Sequence, residues 1–149
     1  MGVTEESFPF KNMIYYPLEK DVVSCEEAAS AKGIPLQNEL KSLILDTNKG
    51  LYLLNIPGDR FANLRSVKTI LNVKNAYLAD HNILNNLKVQ SGTITPLLKQ
   101  IWALPQLLSL EVLKYDFVST NAGVLDKYII FKPKILMAHP NVITGHFIK

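Results

Sequence analysis

The sequence contains one cysteine and three histidines whose side chains could act in catalysis or bind a metal. Cys25 falls in the first turn of a predicted helix, where the helix macrodipole lowers the pKa of a thiol. No histidine is placed to activate it, so a structural role is the favoured interpretation. His81, His139 and His146 form neither an HExxH pattern nor an i, i+4 pair, and each is interpreted as a surface residue. We therefore expect no bound metal and no cofactor.

Familiar signatures of nucleotide or ester chemistry are also absent from the sequence. There is no GxxxxGK[ST] phosphate loop, no GxGxxG fingerprint and no GxSxG elbow. The 149 residues are 48% hydrophobic and 19% charged, which predicts one folded domain over residues 1–149. The net charge of +3 permits binding to a polyanion such as RNA. No apolar run is long enough to span a membrane, and Glu5 and Glu6 are untypical of a signal peptide, so a cytoplasmic location is expected.

Two segments carry strong local signals for secondary structure. Ser24 and Glu27 form a capping box and Gly33 is a typical stop, which predicts a helix over residues 25–32. Two apolar runs, residues 41–46 and 51–56, flank a turn-forming tetrapeptide and predict a β-hairpin. Because both runs are almost continuously apolar, we expect each strand to be buried on both faces.

The rest of the chain alternates short strands and short helices without a regular βαβ rhythm. Asp59 is predicted to cap a helix that presents Phe61, Leu64, Val67 and Leu71 on one face. Asp80 is predicted to cap another short helix. Further strands are predicted at residues 8–16, 75–79, within 107–118 and at 128–131, with a last helical turn at 133–139. This pattern predicts an α/β (α+β) fold with a mixed, curled β-sheet and short helices packed on it.

Several short motifs, in a fixed order, resemble the YbaK family of free-standing aminoacyl-tRNA deacylases, which is related to the editing insertion domain of prolyl-tRNA synthetase. The resemblance covers about residues 20–137 and implies an α/β (α+β) fold with a mixed, barrel-like β-sheet and flanking short helices. The motifs are Glu26-Glu27-Ala28-Ala29, Lys32-Gly33-Ile34-Pro35, Glu39-Leu40-Lys41-Ser42-Leu43-Ile44-Leu45, Pro57-Gly58-Asp59-Arg60, Gly92-Thr93-Ile94-Thr95-Pro96 and Phe117-Val118-Ser119-Thr120-Asn121-Ala122-Gly123.

The resemblance implies an activity and a set of partners. Family members hydrolyse the ester that joins a wrong amino acid, typically cysteine or alanine, to the terminal adenosine of a tRNA, most often the tRNA for proline. The protein is thought mainly to position and polarise the labile ester, so the lack of a side-chain nucleophile does not exclude an enzyme. The implied partners are a mischarged tRNA, through its acceptor end, and prolyl-tRNA synthetase, with no membrane and no metal.

The resemblance also implies roles for particular residues. Lys41 matches the central lysine of the family, which would hold a phosphate or hydroxyl of the acceptor end or orient the substrate carbonyl; the alternative is a strand-end lysine that extends into water. Ser42 retains the hydroxyl of a family threonine. The remaining implied substrate-binding residues form a loop, a strand and a turn, and are Gly92, Thr93, Ile94, Thr95, Pro96, Ser119, Asn121, Gly123 and Asp126.

Some of these assignments have structural alternatives. The loop that begins at Gly92 would bind the terminal adenosine or polarise the ester, but its composition also suits an ordinary turn. Asp126 would accept a hydrogen bond from the substrate ammonium group or remain a solvated carboxylate. Arg60 is implied to contact tRNA phosphates, whereas capping is the favoured role of Asp59. The alternative function for the whole chain is a module of the same fold that binds tRNA or a synthetase without hydrolysis.

Overall fold

The computed structural model describes residues 14–149, in which eight strands form two separate sheets. The strands are β1 Tyr15–Pro17, β2 Leu40–Thr47, β3 Gly50–Pro57, β4 Ala76–Leu78, β5 Gln106–Ser109, β6 Val118–Asn121, β7 Lys127–Phe131 and β8 Val142–Gly145. The helices are α1 Cys25–Lys32, α2 Leu64–Leu71, α3 His81–Asn86 and α4 Lys99–Trp102, with 3-10 turns at Leu36–Asn38, Leu110–Lys114 and Pro133–Ala138.

The larger sheet is mixed, as the sequence predicts, but the expectation of a barrel-like sheet is wrong. Its five strands run in the order β4-β2-β3-β5-β8, with β3, β5 and β8 parallel and the other pairs antiparallel. The smaller sheet is antiparallel, in the order β1-β7-β6. The edge strands of the larger sheet do not pair with each other, so neither sheet closes on itself. An isolated bridge between Glu39 and Ser119 connects the two sheets beside the candidate site.

The predicted hairpin forms the centre of the larger sheet. Its register runs from Leu40 opposite Pro57 to Thr47 opposite Gly50. The Thr47 hydroxyl donates to the Gly50 carbonyl at 2.7 Å and accepts from the main-chain N–H of Lys49 at 3.1 Å, which fixes the turn. The hairpin thereby places Lys41 near the end of β2 remote from this turn.

Both faces of the hairpin are buried, as predicted. Leu53 and Leu54 are adjacent in β3, are both fully buried, and belong to different apolar clusters because neighbouring strand residues point to opposite faces. One cluster packs between the two sheets and includes Ile44 of β2 and Ile129 of β7. The other lies beneath α2 and includes Val67. Burying the sheet on both faces gives the candidate site a rigid base.

Helices α1 and α3 begin at the capping residues that the sequence predicts, whereas α2 begins at a different one. The Ser24 hydroxyl accepts from the Glu27 N–H at 3.1 Å, and Gly33 ends α1 with a left-handed φ of 69°, as predicted. The Asp80 carboxylate caps α3 by accepting from Ile83. The prediction that Asp59 caps α2 is wrong: the side chain of Asn63 does so, accepting from Ser66.

The chain between β3 and α2 explains the displaced cap. The Arg60 N–H donates to the Pro57 carbonyl at 3.1 Å, so the residues around Asp59 form a turn instead of entering the helix. Phe61 therefore lies before α2 and is exposed, contrary to its predicted place on the buried helix face. This turn lies beside Lys41 and becomes part of the candidate site.

Most of the predicted first strand, residues 8–16, lies outside the described residues; within them, β1 begins at Tyr15. The strands predicted at 75–79, within 107–118 and at 128–131 form, and so does the last helical turn, as a 3-10 turn. Among residues 14–149, no helix is long and apolar enough to cross a membrane.

Candidate active site

A cavity of about 190 Å3 opens between α1, the start of β2 and the edge of the smaller sheet. We call it the Lys41 cavity. Its lining residues are Leu18, Val22, Val23, Ser24, Cys25, Ala28, Lys32, Glu39, Leu40, Lys41, Ser42, Leu43, Ser91, Gly92, Ile94, Asn121, Lys127 and Tyr128. Five of the residues implied by the family resemblance, Lys41, Ser42, Gly92, Ile94 and Asn121, are among them.

Lys41 is half-buried, with its ammonium group beside the turn that follows β3. Its Nζ donates to the main-chain carbonyl of Arg60 at 2.8 Å and lies 5.2 Å from the centroid of the Phe61 ring. One of the three ammonium hydrogens is engaged by that carbonyl, so the group retains the capacity to bind an oxygen of a ligand in the cavity. The ammonium group is therefore anchored at the surface by the turn, and its role toward a substrate stays a prediction.

Gly92 brings main chain to the cavity wall. Its φ of 89° is left-handed, and a Cβ at this position would lie 2.9 Å from Leu125 Cδ2 and 3.3 Å from Val23 Cγ1. A side chain here is therefore disfavoured by both conformation and space. Ile94 also lines the cavity, and its carbonyl accepts from Asn121 Nδ2 at 3.1 Å. This hydrogen bond ties the loop to β6 and makes the wall rigid.

The other residues of this loop have structural roles and do not line the cavity. Thr93 is buried, and its hydroxyl donates to the Gln90 carbonyl at 2.8 Å. Thr95 is fully buried and accepts from the N–H of Leu97 at 3.3 Å. Pro96 is buried as well. These three side chains hold the loop that presents Gly92 and Ile94.

Three of the residues implied around β6 and β7 also lie outside the cavity lining. Ser119 is fully buried and its hydroxyl accepts from Lys32 Nζ at 2.9 Å. Gly123 has a φ of 78° and donates its N–H to Asn121 Oδ1 at 2.8 Å, which closes the turn after β6. Asp126 is exposed, and its main-chain carbonyl accepts from the Leu18 N–H. Of this group, only Asn121 faces the cavity.

Ser42 connects the cavity wall to the interior of the larger sheet. Its hydroxyl donates to Asn55 Oδ1 at 2.8 Å, and Asn55 Nδ2 donates to Gln106 Oε1 at 3.1 Å. Gln106 in turn donates to the main-chain carbonyls of Ile101 and Leu104. The network crosses β2, β3 and β5, so it fixes the strand that carries Lys41.

A buried ion pair forms one side of the cavity, and sequence reasoning missed it. Lys32 Nζ lies 2.8 Å and 2.9 Å from the two carboxylate oxygens of Glu39, and their side chains are only 1% and 6% exposed. The same ammonium group lies 4.8 Å from the centroid of the Tyr128 ring. Burial lowers the pKa of Lys32 and raises the pKa of Glu39, while the attraction between the two charges opposes both shifts.

The charges at the cavity favour an anionic ligand. Glu39 is the one acidic residue among the described lining residues, and Lys32 neutralises it. Lys41 and Lys127 add two positive charges. A cavity with this excess attracts a phosphate group.

Cys25 also lines the cavity. The pKa of its thiol is raised, whereas the helix macrodipole alone would lower it. Burial, and next the negative charge of Glu39, raise the pKa of the thiol from 9.0 to about 11. The thiol is therefore protonated at neutral pH and is a poor nucleophile. This agrees with the interpretation that Cys25 has no catalytic role.

We expect Cys25 to react with iodoacetamide about tenfold more slowly than an ordinary cysteine at pH 8. The higher pKa leaves roughly a hundredfold less thiolate, and the greater nucleophilicity of a more basic thiolate offsets part of this loss. The rate should rise continuously as the pH approaches 11. The same chain unfolded in urea provides the control, since its thiol should react as a free cysteine does; equal rates in both states would contradict the assignment.

Arg60 is exposed beside Lys41 and does not line the cavity, and its guanidinium group forms hydrogen bonds within the protein. Nε and Nη2 donate to the main-chain oxygen of Lys149 at 3.2 Å and 2.7 Å. The implied contact with tRNA phosphates stays a prediction.

The histidines do not contribute to the cavity. His81 and His146 are exposed, as expected, and His146 Nδ1 lies 2.7 Å from the Glu111 carboxylate. The interpretation of His139 as a surface residue is wrong. It is buried, its Nδ1 accepts from Asn141, and its Nε2 therefore donates to the Trp102 carbonyl at 2.6 Å. Within residues 14–149 there is no group of three or more His, Cys, Asp or Glu side chains suited to a metal ion.

Solved structures share this fold. A proposed trans-editing enzyme for prolyl-tRNA synthetase superposes with a TM-score of 0.85 at 22% identity, over 97% of this chain and 91% of that chain. A hypothetical protein superposes with a TM-score of 0.82 at 21% identity, over 93% of each chain. A protein from a study of epitope grafting onto scaffold proteins superposes with a TM-score of 0.83 at 22% identity, over 94% of this chain and 88% of that chain. At these identities the likeness establishes the fold alone.

The family assignment comes from the sequence itself. No curated protein sequence matches the chain. Residues 19–138, however, match the family described as the aminoacyl-tRNA editing domain, which confirms the resemblance drawn from the short motifs. Since the match covers most of the 149 residues, this chain belongs to the aminoacyl-tRNA editing domain family.

Proposed function

We propose that this protein is a deacylase that hydrolyses, in trans, the ester of a mischarged tRNA, with tRNA for proline carrying cysteine or alanine as its substrate. The observation that carries the proposal is the Lys41 cavity, in which Lys41 and Gly92 line the same hollow. In this proposal the protein acts in the cytoplasm, and its partners are the acceptor end of the tRNA and prolyl-tRNA synthetase.

The chemistry requires only water and correct positioning. Water adds to the ester carbonyl, the bond between the carbonyl carbon and the ribose oxygen breaks, and the products are a free amino acid and a tRNA with its terminal hydroxyl restored. The Lys41 ammonium group binds a phosphate or the carbonyl oxygen, where negative charge develops as water attacks. Gly92 allows the sugar and the ester to approach the main chain closely. The protonated Cys25 thiol does not compete with water as the nucleophile.

The size and walls of the cavity support a small amino acid as the acyl group. About 190 Å3 of space must hold the amino acid and part of the terminal nucleotide. Val22, Ala28, Leu40 and Leu43 provide apolar walls that accommodate a methyl or thiol-bearing side chain. Exclusion of the larger correct amino acid by size is the second selection step of double-sieve editing.

One observation favours the alternative of a binding module without catalysis. Ser119 is held by Lys32 in the interior, and the Asp126 side chain does not line the cavity. Two polar groups that the resemblance implies for the substrate are thus not presented to it. A module of this kind would bind the acceptor end and leave the ester intact.

A panel of charged tRNAs separates the two functions. We expect catalytic amounts of the protein to release the amino acid from Cys- or Ala-charged tRNA for proline faster than it is lost in buffer, and to leave Pro-tRNA intact. Ser-charged tRNA completes the panel. Filter binding on the same samples reports affinity. Binding without accelerated release would support the module, and neither binding nor release would contradict both functions.

A further inference from the structure

An exposed aromatic side chain, that of Phe61, lies beside Lys41. Phe61 is 73% exposed, and among residues 14–149 no other large apolar side chain is more exposed. It precedes α2 and packs in neither apolar cluster. Burial of a phenylalanine in a core would be favourable, so an exposed one beside a candidate site suggests a ligand contact.

Main-chain hydrogen bonds fix the backbone that carries the Phe61 ring. The Phe61 carbonyl accepts from the Lys149 N–H at 2.9 Å, and the next residue, Ala62, forms an antiparallel bridge with Ile148. The preceding residue, Arg60, is fixed by the turn hydrogen bond to Pro57. The backbone on both sides of the ring is therefore tied to the fold, which reduces the entropy lost when a ligand stacks on it.

The surroundings of Phe61 are basic. The Lys41 ammonium group lies 5.2 Å from the ring centroid, and Arg60 is the adjacent residue. Arg65 and Lys149 line a neighbouring basin of about 400 Å3. Asp59 is the acidic residue of this turn. An exposed aromatic ring among cationic side chains is the combination that binds unpaired nucleic acid, since the base stacks on the ring and the cations attract its phosphates.

We propose that Phe61 is a stacking platform for one nucleobase of the unpaired acceptor end, the base directly before the acylated nucleotide. This inference rests on the proposed function, because the terminal nucleotide must enter the Lys41 cavity for the preceding base to reach its mouth. Lys41 then contacts both the ring of Phe61 and the terminal nucleotide, which couples recognition of the tail to placement of the ester. The Phe61 ring contacts the flat face of the base and leaves its hydrogen-bonding edge uncontacted. It therefore contributes affinity without base specificity.

The test uses a fluorescently labelled hairpin RNA of the acceptor stem with its unpaired 3′ tail, and a second RNA that is abasic at the position before the terminal nucleotide. Affinities are measured by anisotropy for the wild type, Phe61→Ala and Phe61→Tyr. Tyr77→Ala is the matched control, because Tyr77 is an aromatic residue 62% exposed on β4, whose partner residues lie at the turn end of β2, away from Lys41.

We expect Phe61→Ala to weaken binding of the intact RNA roughly tenfold, which corresponds to the loss of one stacked base. Phe61→Tyr should retain the wild-type affinity, and Tyr77→Ala should not change it. On the abasic RNA, the wild type and Phe61→Ala should bind equally. An unchanged affinity of Phe61→Ala for the intact RNA, or an equal loss on both RNAs, would overturn the platform.

The results of the binding test and of the deacylation test can be told apart. If the wild type deacylates mischarged tRNA while Phe61→Ala binds intact RNA normally, hydrolysis stands and the platform is refuted. If the wild type hydrolyses nothing but the base-dependent loss at Phe61 occurs, the platform stands and the protein is a binding module.

Discussion

Lys41→Ala should lower the rate of ester hydrolysis by about two to three orders of magnitude, the usual effect of removing a group that stabilises developing negative charge. The variant should remain folded, because Lys41 is half-buried and its protein contacts are one hydrogen bond to Arg60 and the ring of Phe61. Together these contribute about 1 kcal/mol. The measurement is the deacylation rate constant with enzyme in excess over mischarged tRNA.

A matched control separates the role of Lys41 from a general loss of positive charge. Lys68 is an exposed lysine in the last turn of α2, and Lys68→Ala removes the same charge outside the cavity lining. We expect this variant to deacylate at the wild-type rate. Circular dichroism verifies that both variants are folded. A folded Lys41→Ala protein with wild-type activity would refute the assignment of Lys41.

Lys32→Met should be the most destabilising single substitution in the cavity wall. It leaves the Glu39 carboxylate buried without its partner, and breaking a buried pair in this way costs about 3–5 kcal/mol of the free energy of unfolding. The double variant Lys32→Met/Glu39→Leu should recover most of this loss, because an apolar pair no longer carries the desolvation penalty of two ions. Urea denaturation of the wild type and the two variants measures both effects.

The pH dependence gives an independent check on the same pair. Burial raises the pKa of Glu39, and removal of Lys32 takes away the charge that opposes this shift. A carboxyl group with a raised pKa in the folded state favours folding at low pH, and that contribution is lost as the pH rises through the folded pKa. The deficit of Lys32→Met relative to the wild type should therefore shrink as the solution is acidified. A deficit below 1 kcal/mol at neutral pH, or no recovery in the double variant, would contradict the assigned pair.

Local sequence rules predict the elements whose determinants lie within a few residues. Ser24 and Gly33 delimit α1, and the turn at Thr47 sets the hairpin, because each depends on short-range hydrogen bonds or on a left-handed glycine. Elements that depend on distant partners were mispredicted or missed. α4 and β8 were not predicted, and β8 forms by pairing in parallel with β5, a contact that no local pattern encodes.

The displaced start of α2 shows why capping signals alone do not decide between neighbouring candidates. Asp59 and Asn63 are both good caps, and the difference lies in the tertiary structure. The bridge between Ala62 and Ile148 holds the chain in an extended path up to Asn63, so the helix begins only after it. The open sheets have a similar origin, since closure depends on whether the edge strands meet and not on their own sequences.

The sequence motifs predicted which segments of the chain meet at the candidate site. They did not predict all the side-chain contacts within it. Lys41, Ser42, Gly92, Ile94 and Asn121, which come from separate motifs, line one cavity, and their roles toward a substrate stay predictions. The pairing of Lys32 with Glu39 and Ser119 was missed. Ser119 is 87 residues away in the chain, and neither charged residue differs in the sequence from an ordinary exposed one.

If the Lys41 cavity hydrolyses the ester at the end of a mischarged tRNA, a single-turnover experiment should show it without further assumptions. Excess wild-type protein is mixed with Cys-tRNA or Ala-tRNA for proline, and the remaining ester is followed over time beside a sample in buffer. We expect the wild type to release the amino acid rapidly from at least one of these tRNAs. Release no faster than in buffer from both, with a folded protein in excess, would contradict it.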